Sequence, residues 1–120
     1  MKFNKENATR FGWNGIQGWA LSSANDYAGM STAYFEVDGS HGVRKSTLSD
    51  RAYYVLEGTG TFLVDEEKTP VVAGDVIIVP KNTWYDFVGE MKLFLVHAPA
   101  YDSKAGEHQK ADLPDGASMG

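Results

Sequence analysis

Cysteine is absent from the 120 residues. That removes disulfides, thiolate metal sites and a cysteine nucleophile, and leaves nothing that asks for an oxidising compartment, so a cytoplasmic location is expected. Long apolar runs are missing too. Nothing approaches the roughly 18 residues that span a bilayer as a helix, and the opening Met1-Lys2-Phe3-Asn4-Lys5-Glu6 carries no apolar signal segment. No membrane partner is expected. Basic residues are few and scattered, eleven Lys and Arg against sixteen Asp and Glu. The basic stripe that nucleic acid requires is therefore lacking. Amphipathic helical periodicity is found nowhere along the chain.

What the chain does have is glycine and aromatic rings. Thirteen glycines and an aromatic share of 12% describe many tight turns between ring-bearing strands. Ser31 to Val37 reads as a strand ending at the Asp38-Gly39 turn. Ala52 to Leu56 and Thr61 to Val64 read as a hairpin around Glu57-Gly58-Thr59-Gly60, with a polar turn from Asp65 to Pro70 after it. Val71 to Ala73 is a short strand, and Pro80 stops the next one, Val76 to Val79. Trp84 to Val88 and Lys92 to His97 complete a series typical of an all-β sandwich or barrel. The aromatic stretch around Gly12-Trp13-Asn14-Gly15 and Gly18-Trp19 is expected to pack on this body as strand and turn. One domain is expected over residues 1–101, with an irregular polar tail over 102–120. Trp13, Trp19 and the alternate strand faces offer more aromatic surface than one small barrel hides, so a homodimer is expected.

Spacing adds a second signal. Gly39 is followed by Lys45, Thr47, Arg51 and Gly58, and then by Gly74, Pro80, Asn82, Tyr85 and Gly89, with fifteen residues between Gly58 and Gly74. Tyr54-Val55-Leu56-Glu57-Gly58 is a phrase of the same kind. This pattern resembles the two short motifs of the cupin superfamily. The resemblance implies an all-β fold with a single antiparallel β-barrel, the jelly-roll-like double-stranded β-helix. In that family two histidines and a glutamate of the first motif and a histidine of the second hold a metal. The matching positions here are Lys45, Thr47, Arg51 and Tyr85. Two of these are cations, so the resemblance implies a barrel with no metal at that place and no cofactor.

Strand alternation puts Lys45, Thr47 and Ser49 on one face, and Arg51, Tyr53 and Val55 on one face of the following strand. Tyr85 and Phe87 form a further set, as do Leu93, Leu95 and His97. In the cupin register the first three of these faces line the barrel interior; no motif fixes the facing of His97, which closes the pocket if it is inward. Lys45, Thr47, Arg51 and Tyr53 are then expected to bind a ligand, with Tyr85 and His97 as acid and base. Two inward cations lose hydration and repel each other, so a small anionic or carbohydrate-derived ligand is expected between them, gripped chiefly by the planar fork of Arg51. Plainer readings stand beside this one. A Lys at a barrel mouth snorkels to water, and an inward Tyr or His is core with its polar atom satisfied. His41 is expected at the surface of the loop after Gly39, and His108 in the tail. Three functions stay open: a ligand-binding barrel, a metal-independent isomerase, epimerase or lyase, and a structural or interaction barrel without a ligand.

Overall fold

Alternation decides which residues enter the core. Along Ser31–Ser40 the buried residues are Ser31, Ala33, Phe35 and Val37, with less buried residues between them. The same period runs through Tyr85–Ala98, burying Tyr85, Phe87, Met91, Leu93, Leu95 and His97. These are two of nine strands in the computed structural model, which describes residues 1–102 and 107–109. In chain order the strands are β1 (Thr9–Trp13), β2 (Ile16–Ala20), β3 (Ser31–Ser40), β4 (Arg44–Ser46), β5 (Asp50–Val64), β6 (Glu67–Val72), β7 (Val76–Val79), β8 (Tyr85–Ala98) and β9 (Glu107–Gln109).

Every pairing is antiparallel. Strand β8 is the hub: β3 pairs with it over Ser40 to Ser31, and β5 over Asp50 to Val64. The β1–β2 hairpin extends the sheet from β3, while β6 and β7 add to β5. The sheet curls around an apolar filling in which Val55, Phe62 and Leu93 have no exposed surface. Phe62 lies against Phe87 with ring centroids 4.9 Å apart. Full burial of such a side chain contributes about 1.5–3 kcal/mol. No described helix is long and apolar enough to cross a membrane.

Several expected boundaries move. The glycines at 58 and 60 do not turn a hairpin; β5 runs through them as one strand of 15 residues. Their reason is close approach. A Cβ on Gly58, whose φ is +89°, would stand 2.1 Å from the Glu90 carbonyl oxygen, and one on Gly60 would stand 2.6 Å from that of Val88. Gly60 sits opposite Gly89, so the two expected strands at the end of the chain are likewise one continuous β8. A bulge at Leu56 shifts the pairing between Val55 and Glu57 and reverses the parity of β5. Arg51, Tyr53 and Val55 are inward before it, and Phe62 after it.

The turn into β6 uses only Asp65 and Glu66, both at positive φ (50° and 69°). Strand β6 therefore starts earlier than expected and includes Pro70, which is tolerated because β6 pairs on one side, with β5. At the other end, β9 pairs with β4, Lys45 opposite His108 in the backbone register. The remainder of the expected irregular tail lies outside the described residues. The two tryptophans are not open surface either. Trp13 donates its indole N–H to the His41 carbonyl at 3.0 Å, and the Trp19 ring is covered by Lys5 and Arg10. Tyr54, Val76 and Ile78 are the apolar side chains left facing out around β7.

Candidate active site

Polar residues enter the barrel where the inward faces of β5 and β8 run beyond the apolar filling. Arg51 and His97 are directly paired across these strands, and both side chains are buried. Tyr53, one inward step from Arg51, places its hydroxyl 2.9 Å from that of Tyr85. The Arg51 guanidinium donates to the Tyr85 oxygen through Nη1. Guanidinium, phenol and phenol thus form a continuous hydrogen-bonded chain. These residues share a cavity of about 380 Å³ with His41, Arg44 and an aromatic wall that includes Phe11, Trp13 and Phe35. Tyr101 stands at its edge, its ring 5.2 Å from that of His97.

His41 is the residue that the sequence reading misplaced. It is buried, with only 3% of its surface exposed. Its ring stacks on Phe87 at 4.5 Å and on Tyr85 at 5.3 Å, and meets Trp13 edge-on at 5.4 Å. Its Nδ1 lies 2.9 Å from the Gly42 carbonyl oxygen. A carbonyl only accepts, so Nδ1 carries the proton and Nε2 is the basic nitrogen. Burial, then the charge of Arg44, lower the His41 pKa to about 3. The same happens to His97, where burial and Arg51 lower it to about 3. Both imidazoles are neutral at physiological pH.

Strand β4 presents its residues differently from the expected parity. Arg44, not Lys45, reaches the cavity, with its guanidinium 4.3 Å from the Trp13 ring centroid. Lys45 stands over Trp84 at 4.8 Å, Ser46 is buried and Thr47 is exposed. Neither Lys45 nor Thr47 lines the cavity. Of the six side chains expected at the site, the structure brings Arg51, Tyr53, Tyr85 and His97 together, and adds His41, Arg44, Trp13 and Tyr101. No spacing signal marks these additions.

The loop bearing His41 is tied down from behind by Asp86. The carboxylate accepts the Gly42 N–H at 2.8 Å, the Phe87 N–H at 2.7 Å and the Ser40 hydroxyl at 3.3 Å. Burial raises the Asp86 pKa above its ordinary value, and these hydrogen bonds act against that rise.

The donor set does not suit a divalent cation. Two guanidinium groups stand among the two imidazoles, and no carboxylate from the described residues lines the cavity. Nor does any group of three or more His, Cys, Asp or Glu with metal-binding placement occur among the described residues.

The family model described as "Cupin domain" matches residues 34–97. The chain belongs to the cupin family. Among solved structures it is similar to Pac13 from Streptomyces, described as a unique nucleoside dehydratase: 28% identity over 90% of this chain and 88% of that one, TM-score 0.82. It is similar to variants of that protein solved with uridine. One has a histidine replaced by glutamine (26% identity, 96% and 94% covered, TM-score 0.85), and others have a tyrosine replaced by phenylalanine. KdgF from a Halomonas species shares the fold at 17% identity, with 87% and 97% covered and TM-score 0.75. No curated protein matches the sequence.

Proposed function

We propose that this cupin is a metal-independent lyase that removes water from a nucleoside-type small molecule in the barrel cavity. The observation that carries the reading is one neutral, buried imidazole, His41, stacked beside the Arg51–Tyr85–Tyr53 hydrogen-bonded chain in a single aromatic-walled cavity. Its support from outside is the likeness to a nucleoside dehydratase whose histidine and tyrosine variants were solved with uridine. A flat base ring fits against Phe11, Trp13 and Phe35, leaving the sugar toward the polar side chains.

The chemistry follows from the charges. Nε2 of His41 takes a proton from a sugar carbon made acidic by a neighbouring carbonyl. The carbon–hydrogen electron pair becomes the new double bond while the carbon–oxygen bond to the adjacent hydroxyl breaks. An imidazolium beside Arg44 and Arg51 is unstable, so it returns the proton to the departing oxygen, which leaves as water. Negative charge gathering on the carbonyl oxygen is met by the Tyr85 hydroxyl, polarised by Arg51. His97, the base expected from the sequence, is assigned to the cavity wall with Tyr101. Tyr85, expected from the sequence as an acid or base, is assigned here the part of hydrogen-bond donor.

A binding-only barrel is the second reading, favoured by the two guanidinium groups that bound the cavity and suit an acidic ligand. The deciding experiment incubates the protein with uridine and with uridine derivatives bearing a carbonyl or carboxylate on the sugar. Calorimetry follows binding, and mass spectrometry follows loss of one water. Water loss supports the lyase, binding without it supports the second reading, and no binding removes both. The expected homodimer is kept as a proposal, now through the outward Tyr54, Val76 and Ile78 beside β7. Sedimentation that shows only monomer at micromolar concentration counts against it.

A further inference from the structure

We infer that Asp86 is a positioning residue that sets the tautomer of His41 through the backbone of Gly42. The inference rests on the reading of His41 as the base. Asp86 is absent from the cavity lining, yet three of its contacts fall on the two neighbours of the base, Ser40 and Gly42. Its Oδ1 receives the Gly42 N–H at 2.8 Å, and its two oxygens stand 3.3 Å from the Ser40 hydroxyl. The Phe87 N–H, at 2.7 Å, ties the same carboxylate to β8. On the other side the His41 N–H donates to the Phe87 carbonyl at 2.9 Å, so residues 40 to 42 are stitched to residues 86 and 87 from both directions.

Gly42 converts this anchoring into a proton position. Its φ of +95° lies in the left-handed region that glycine adopts without strain. That turn brings its carbonyl back onto the preceding ring, 2.9 Å from Nδ1. Asp86 holds the Gly42 N–H and with it the peptide plane between His41 and Gly42; from that fixed plane the backbone rotation of Gly42 aims its carbonyl at the ring, and there Nδ1 must supply the hydrogen. Nε2 is left with its lone pair. Without the carboxylate, Gly42 can rotate, the carbonyl leaves the ring, and a free imidazole takes either tautomer. The choice of free nitrogen is therefore made by a residue on the outer face of the sheet.

The test reads the proton directly. Nitrogen-15 NMR of the full-length protein distinguishes the two ring nitrogens of His41 without substrate, so a failed lyase assignment does not affect it. The wild type is expected to show protonated Nδ1 and bare Nε2. Asp86→Ala is expected to show exchange between both tautomers, with the amide spectrum of the β8 core retained. Asp86→Asn keeps an oxygen for the Gly42 N–H and is expected to hold the wild-type tautomer. If Asp86→Ala does not fold, Asp86→Ser, which stops short of Gly42, is read in the same way. Where turnover is measurable, Asp86→Ala is expected to lower kcat roughly ten- to a hundredfold with little change in KM, the scale on which partners that orient a histidine act, and Asp86→Asn to restore most of it. An Asp86→Ala or Asp86→Ser variant that melts earlier but keeps a protonated Nδ1 overturns the inference. So does a wild-type ring protonated at Nε2.

Discussion

Besides its aromatic wall, the cavity has two further walls, and they differ in kind. One is made by the long strands β5 and β8, which supply Arg51, Tyr53, Tyr85 and His97; the other is made by the three-residue β4 and the loop before it, which supply Arg44 and His41. On the first wall, Arg51 to Tyr54 are paired on both edges, with β7 and with β8. Side-chain facing there follows strict alternation, because a slip by one residue would turn the whole set outward. On the second wall, β4 is followed at once by bends, and parity does not persist from Arg44 to Ser49. Paired length, more than residue type, decides how rigidly a side chain is aimed. His41, the proposed base, sits on the less regular wall and so depends on hydrogen bonds for its placement.

The largest expected effect tests whether the short wall carries the chemistry. His41→Gln should lower turnover by roughly 10²- to 10⁴-fold, the range for loss of a positioned general base, while circular dichroism stays that of the wild type. If His97→Gln does this instead, the base belongs to the long-strand wall. Next comes binding. Arg51→Ala should weaken an acidic uridine derivative by about 2 to 5 kcal/mol in calorimetry, the usual cost of removing one partner from a buried charged hydrogen bond. A larger loss in Arg44→Ala would move the main anion contact to the short wall.

Acid titration compares the two walls within one experiment. His41 and His97 have folded-state values of about 3 against an ordinary 6.5. Between these limits the unfolded chain binds protons that the folded chain refuses. Their contribution is complete above pH 6.5 and is lost as pH falls toward 3, at about 1.4 kcal/mol per pH unit for each histidine. The raised value of Asp86 works in the opposite sense just above its ordinary 3.8, where the folded state binds the extra proton. Urea unfolding across this range should show the slope, and His41→Gln or His97→Gln should each remove about one proton from it. An unchanged slope in either variant would mean that its imidazole is protonated in the folded state.

The same division explains what was legible in the sequence. Gly39, Gly58, Gly74, Pro80 and Gly89 carried the cupin spacing; alternation grouped Arg51 with Tyr53, Tyr85 with Phe87, and Leu93 with Leu95 and His97, the cupin register turned the first two groups inward, and burial places all seven inside. The Gly58–Gly60 region misled because glycine serves a turn and a close strand crossing equally well, and only the approach of β8 distinguishes them. His41 was unreadable for a different reason. A histidine between Ser40 and Gly42 has no period to place it, and its burial comes from Trp13, Phe87 and Asp86, which are distant in sequence. The role of Arg44 was hidden by its neighbour, since one residue of slip exchanges Lys45 for Arg44.

That slip gives the smallest expected effect and the sharpest test of where β4 aims its side chains. Lys45 stacks its ammonium over Trp84 and does not line the cavity. Its removal should cost only the cation–π contact, about 0.5–1 kcal/mol at an exposed site, read as a lower midpoint in urea. Thr47→Ala, at an exposed position, should stay within about 0.5 kcal/mol of the wild type. Neither substitution should change affinity for the acidic uridine derivative by more than about twofold, well under the 1.4 kcal/mol that a tenfold change represents. Arg44→Ala should weaken that affinity distinctly, because its guanidinium stands at the cavity against Trp13. If Lys45→Ala weakens the ligand tenfold while Arg44→Ala leaves it untouched, β4 takes the opposite parity when the cavity is filled, and the first motif regains the facing that its spacing implied.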